Sequence, residues 1–106
     1  MPRFLFMGDY TAEGARGVIK DGGSKRRAAA DAVIGSVGGK IEAFYYAFGG
    51  HDFYIIAEMP DSSAAAATSM VVAASGALRV KTVVLLSAEE LDAASQLSVS
   101  YSPPGA

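Results

Sequence analysis

The apolar positions of this chain change period several times, and the changes divide it into elements. Arg3 to Tyr10 is rich in Phe and Leu and predicts a first strand. Thr11 then offers an N-cap with Glu13 in the favourable first turn, so a short helix is expected over Ala12 to Lys20, broken by Asp21-Gly22-Gly23. From Ser24 to about Val37 the period becomes helical, because Ala30, Val33, Ile34 and Val37 form one stripe at i, i+3, i+4 and i+7. Gly38-Gly39 supplies the left-handed residue that ends such a helix. Lys40 to Phe48 and Asp52 to Met59 read as two strands joined in a hairpin by a tight Gly49-Gly50 turn. Asp61 caps a further helix, Ser62 to about Ser75, which Gly76 closes. Leu78 to Leu86 is the fourth strand, and Ser87-Ala88-Glu89-Glu90 is a capping box for a last helix reaching Ser95.

The order is βαββαβ plus a terminal helix. It predicts an α+β, ferredoxin-like domain over residues 1–95, with a four-stranded antiparallel sheet and two main helices on one face. Residues 96–106 form a C-terminal tail, in which Val99 to Tyr101 is expected to dock on the domain or on a partner subunit.

Alternation within the strands constrains assembly. Read with strict period two, Ile41, Ala43, Tyr45 and Ala47 share one face of the second strand, and Glu42, Phe44, Tyr46 and Phe48 the other. Phe53, Ile55, Ala57 and Met59 oppose Tyr54, Ile56 and Glu58 in the third, and Val80, Thr82, Val84 and Leu86 oppose Lys81, Val83 and Leu85 in the fourth. Neither face is consistently polar. Helices cover one of them, so the other calls for a second copy of the chain in a homodimer. A small apolar or aromatic ligand between sheet and helices, or between two packed sheets, is compatible with such a pair.

Composition narrows the function classes. The 106 residues suit one domain, and the absence of cysteine removes zinc-ribbon, thiol-redox and cysteine-nucleophile chemistry. A net charge of −2 gives no general attraction to nucleic acid or anionic lipid. The one basic cluster, Lys25-Arg26-Arg27, reads as a solvated helix face. No apolar run approaches the length of a membrane span, and the Met-Pro-Arg-Phe start lacks signal-peptide architecture, so the chain reads as cytoplasmic. One histidine and scattered carboxylates offer no metal-ligand spacing and no phosphate-cradling glycine loop is present, so neither metal nor cofactor is expected. Pro2 follows the initiator Met, but the order of elements does not match a proline-based tautomerase.

The residues with chemical potential are few. His51, beside Asp52, is the sole imidazole, though adjacent strand residues point to opposite faces and form no automatic dyad. Asp52 is expected to bind turn backbone groups. Glu58 is either a partly buried general base or a partner of Lys81, Arg79 or Lys40 across the sheet. Tyr10, Tyr45, Tyr46 and Tyr54 are strand aromatics that either pack or orient a phenolic or quinone-like substrate. The candidate site is therefore Tyr10, Tyr46, His51, Asp52, Tyr54 and Glu58.

The middle of the chain resembles the GYD-domain family. The matching residues are Gly49-Gly50-His51-Asp52, the run Ile55-Ile56-Ala57-Glu58-Met59-Pro60-Asp61, and the outlying Tyr10-Thr11, Lys25-Arg26, Gly38-Gly39-Lys40 and Val80-Lys81-Thr82, together spanning roughly residues 2 to 92. His51 stands where the family's naming tyrosine does. The resemblance implies a dimeric α/β barrel, the fold of a superfamily that includes small cofactor-free monooxygenases and haem-degrading or stress-response proteins. Three functions are thus in view: a binding module or structural dimer, a cofactor-free monooxygenase or oxidase of aromatic compounds, and a haem-binding barrel with His51 as axial ligand.

Overall fold

A computed structural model describes residues 1–106. The elements are β1 (Arg3–Tyr10), α1 (Ala12–Asp21), α2 (Gly23–Gly35), β2 (Lys40–Tyr46), β3 (Phe53–Glu58), α3 (Ser62–Ala74), β4 (Leu78–Leu85) and α4 (Ala88–Ser95). The strands form one four-stranded sheet in the order β2-β3-β1-β4, and every neighbouring pair is antiparallel. This is the ferredoxin-like arrangement.

Local chemistry starts and stops the helices. Thr11 caps α1 by accepting from the Gly14 N–H, Asp61 caps α3 by accepting from the Ala64 N–H, and Ser87 with Glu90 completes the capping box of α4. Gly22, at φ +82°, is the hinge between α1 and α2, so only one residue separates them. At Gly14 a Cβ would lie 1.8 Å from the Ala77 carbonyl oxygen, so only glycine lets α1 approach the start of β4.

The core lies between the sheet and the helices. Phe4, Phe6, Phe53, Ile55, Ala57 and Met59 are buried from the sheet side, against Ile34 of α2 and Ala65 of α3. The stripe Ala30, Val33, Ile34 and Val37 packs there as its spacing predicts. Helix α2 packs over β2, and α3 over β4.

Two sequence expectations are corrected in β2. A β-bulge interrupts the register between Ile41 and Ala43. Ile41 therefore pairs with Ala57 and joins Phe44 and Tyr46 on the helix side, and Glu42 reaches Arg3 instead of sharing their face. The hairpin is also not a two-residue turn. β2 ends at Tyr46, and residues 47–52 form a loop closed by the Ala47 N–H to the Asp52 carbonyl at 2.9 Å. Phe48, not Gly49 or Gly50, takes the left-handed conformation, with φ 60°.

The C-terminal segment does not dock on its own domain. No residue of α4 is buried, and Leu97, Val99 and Tyr101 are 71%, 81% and 73% exposed. This projection gives a radius of gyration of 16.8 Å, against roughly 13 Å for a compact chain of about 100 residues.

Candidate functional site

The two main helices stand apart over the centre of the sheet and leave a groove of about 470 Å³. Fourteen of its eighteen lining residues are hydrophobic. Phe6, Phe53 and Ile55 form the floor, Ala30 and Val33 one wall, and Val72 the other. Gly8 contributes to this shape, since a Cβ there would lie 2.0 Å from the Phe53 ring. The missing side chain lets that ring lie across β1.

One end of the groove is polar. Tyr10, the last residue of β1, packs on Phe53 with ring centroids 5.5 Å apart. Arg26, from the first turns of α2, lines the groove beside it. Burial, with the neighbouring Tyr46 and Asp52 adding to it, pushes the Tyr10 phenol up to about 12. The phenol therefore stays protonated and donates. Tyr46 donates its hydroxyl to the Gly23 carbonyl at 2.9 Å, and burial raises its pKa as well. Asp52 is a structural residue: its carboxylate accepts from the Tyr10 N–H at 2.8 Å, and its own N–H donates to the Gly8 carbonyl at 2.8 Å.

The remaining candidates lie elsewhere. His51 turns away from Asp52, and its Nδ1 sits 3.1 Å from Asp9 Oδ2, with the Tyr54 ring edge-on at 5.8 Å. A carboxylate only accepts, so Nδ1 carries the proton and Nε2 is left free. Asp9 and Tyr54 belong to the face of the sheet away from the helices. Glu58 is near the far end of that face, with Arg3 Nη2 3.2 Å from its Oε1. Its partner is thus Arg3, directly across the β1–β3 ladder, and not Lys81, Arg79 or Lys40, although Lys40 faces it in register on β2. Tyr45 also lies outside the groove and is largely exposed.

A family model of the GYD domain matches residues 4–95. The chain belongs to the GYD-domain family. No curated protein and no solved structure matches it. In this GYD domain the six candidates divide into three places: Tyr10, Tyr46 and Asp52 around the groove's polar end, His51 with Tyr54 beside Asp9, and Glu58 with Arg3.

Neither carboxylate nor imidazole lines the groove. The side chains there can pack, donate hydrogen bonds and supply one positive charge. They offer no base to take a proton from a bound molecule. Haem ligation by His51 does not fit this groove either, since the imidazole lies outside it and is held by Asp9. No group of three or more His, Asp or Glu residues is placed to hold a metal ion, and no helix is long and apolar enough to cross a membrane.

Sequence reasoning missed Arg26 and Asp9. Arg26 carried a signal, because it precedes Ala30 by four and so begins the buried stripe Ala30-Val33-Ile34-Val37. Asp9 carried a weaker one, its parity with Leu5 and Met7 on β1.

Proposed function

We propose that this GYD domain is a binding module for a small, largely apolar molecule seated between the helices and the sheet. The observation that carries the reading is the groove, of a size suited to a small ligand and lined mostly by aliphatic and aromatic side chains. The absence of a base from its lining supports binding over turnover. A neutral apolar dye such as Nile red tests it. We expect saturable fluorescence enhancement with one site per chain, abolished by Ala29→Trp or Val72→Trp, each of which fills the groove from one wall. Undiminished binding in both folded variants sinks the reading.

The proposal includes a homodimer formed through the sheet face away from the helices. Leu5, Met7, Tyr54, Ile56, Val83 and Leu85 share that face, and no element of the chain covers them. A second copy of the same face is the simplest self-complementary cover. The exposed Leu97, Val99 and Tyr101 would find their contacts on that partner.

A further inference from the structure

Two of the groove's polar groups lack a firm hydrogen-bond partner. Its three hydroxyls on the α3 side are already engaged. Thr68 donates to the Ala64 carbonyl at 2.9 Å, Ser69 lies 2.6 Å from the Thr82 hydroxyl, and Ser75 donates to the Val72 carbonyl at 2.7 Å. Two groups remain. The Tyr10 hydroxyl has one weak partner, the Tyr46 oxygen, which can accept from it while Tyr46 donates to Gly23. Arg26 has only a loose partner, with Nη1 3.6 Å from Asp21 Oδ2, and Asp21 also faces Lys25 at 3.7 Å. A guanidinium and a protonated phenol offer N–H and O–H groups toward the groove, whose own lining holds no carboxylate.

The two walls differ in the same sense. From Ser62 to Leu78 the chain has no ionisable residue, so the α3 wall is uncharged. The α2 wall supplies Arg26, the one charged side chain lining the groove. A smaller cavity of about 180 Å³ shares Tyr10, Arg26, Ala77 and Leu78 with the groove, so these donors stand where two spaces meet; Glu13 lines the smaller one, which places an anionic head group on the groove side. Three carboxylates lie near, the first being Asp21, the loose partner of Arg26. Asp52 is committed to the Tyr10 N–H, and Glu13 lines the smaller cavity only.

The geometry points to a ligand with an anionic oxygen group, a carboxylate on an apolar body, held by Arg26 and Tyr10. This rests on the reading of the groove as a ligand site. The apolar part displaces water from the Phe and Val lining, and the carboxylate accepts from the guanidinium and the phenol. Charge-assisted bonds of this kind are the stronger class of hydrogen bond. An amine would meet a like charge at Arg26. An alcohol would accept from Arg26 without the ion pair.

Displacement of Nile red by decanoate, 1-decanol and decylamine at pH 7.5 separates the cases. Decanoate is expected to displace the dye at a concentration at least about tenfold below that of decanol, with decylamine weakest. In Arg26→Gln the advantage of decanoate over decanol should shrink to about twofold or less, both competitors being measured against the Nile red affinity of that variant. Tyr10→Phe should weaken decanoate by a smaller factor, about threefold. If Nile red binds but decanol matches decanoate, or decylamine surpasses it, the anionic head group is overturned and the groove stands. If Nile red does not bind the native protein, the groove reading falls and this inference with it. Should Arg26→Gln fail to fold, the ratio of decanoate to decanol on the native protein still decides.

Discussion

On the helix side of the sheet, Phe4, Phe6, Phe53 and Ile55 are almost completely buried. One residue along the same strands, Leu5, Tyr54 and Ile56 are only half-buried, whereas on the edge strand β4 both faces are open, Val83 being 40% and Val84 57% exposed. Both faces have an apolar centre, but all seven charged residues of the strands, Arg3, Asp9, Lys40, Glu42, Glu58, Arg79 and Lys81, lie on the second. The faces differ in cover as well. The first face has α2 and α3 from the same chain, while the second has no such cover and carries ion pairs of Arg3 with Glu42 and Glu58. Even the covered face is incomplete, because the helices part over β1 and β3 and leave the groove. The domain thus has two apolar vacancies, a narrow one suited to a small molecule and a broad one suited to another protein surface.

Substitutions at neighbouring positions sharpen this contrast. Phe6→Ala should have the largest effect, a loss of about 3–5 kcal/mol in denaturant unfolding, since it opens a cavity in the packed side. Leu5→Ala, one residue away, should cost under about 2 kcal/mol in the isolated chain. Equal losses would break the distinction between the faces. Ile56→Asp should leave the circular dichroism spectrum native and halve the mass seen by light scattering at micromolar concentration. A central charge at an interface costs at least about 2 kcal/mol, or roughly thirtyfold in dissociation constant. An unchanged mass, or a native protein that is already monomeric, would remove the dimer.

The next effect concerns the groove's polar end. The Tyr10 phenol is raised in the folded state to about 12 from its ordinary value of 10.0. Between these values the folded chain keeps a proton that the unfolded chain has released. Stability is therefore fully present below pH 10 and falls as pH rises toward 12. Melting curves across this window should show a downward slope that Tyr10→Phe reduces, with Tyr46 supplying the remainder in the same direction. A slope unaltered by the substitution would place Tyr10 in water. The smallest effect belongs to the hairpin. Phe48→Gly removes a left-handed aromatic residue that is mostly exposed, and should raise stability by about 0.5–1 kcal/mol.

Much of the fold was legible because it rests on short-range rules. The caps at Thr11, Asp61 and Ser87 lie where their side chains predict, and the helical stripe of α2 faces the core. The errors arise where a rule assumes regularity. Period two misassigned Ile41 and Glu42 because one bulge shifts the parity of a strand and leaves no mark in composition. The Gly49-Gly50 pair suggested a tight turn, yet the loop spans residues 47–52 and bends at Phe48, since the Asp52 bonds to Gly8 and Tyr10 fix where β3 begins. The site was less legible than the fold. Lys25, Arg26 and Arg27 look alike in sequence, but each helical step turns by about 100°. Only one of the three meets the groove, and it belongs to a stripe otherwise made of alanine, valine and isoleucine. Asp9 entered only through the three-dimensional meeting of β1 with the loop at His51.

The bulge in β2 has a consequence for growth. β2 is an edge of the sheet, and an unbroken edge is a template on which further strands add without limit. The extra residue disrupts the ladder there, and Lys40 and Glu42 flank the break with charge. Strand-by-strand polymerisation from this edge meets a mismatch at its first step. The opposite edge, β4, pairs without a bulge from Leu78 to Leu85, so it is there, and not at β2, that strand addition stays open.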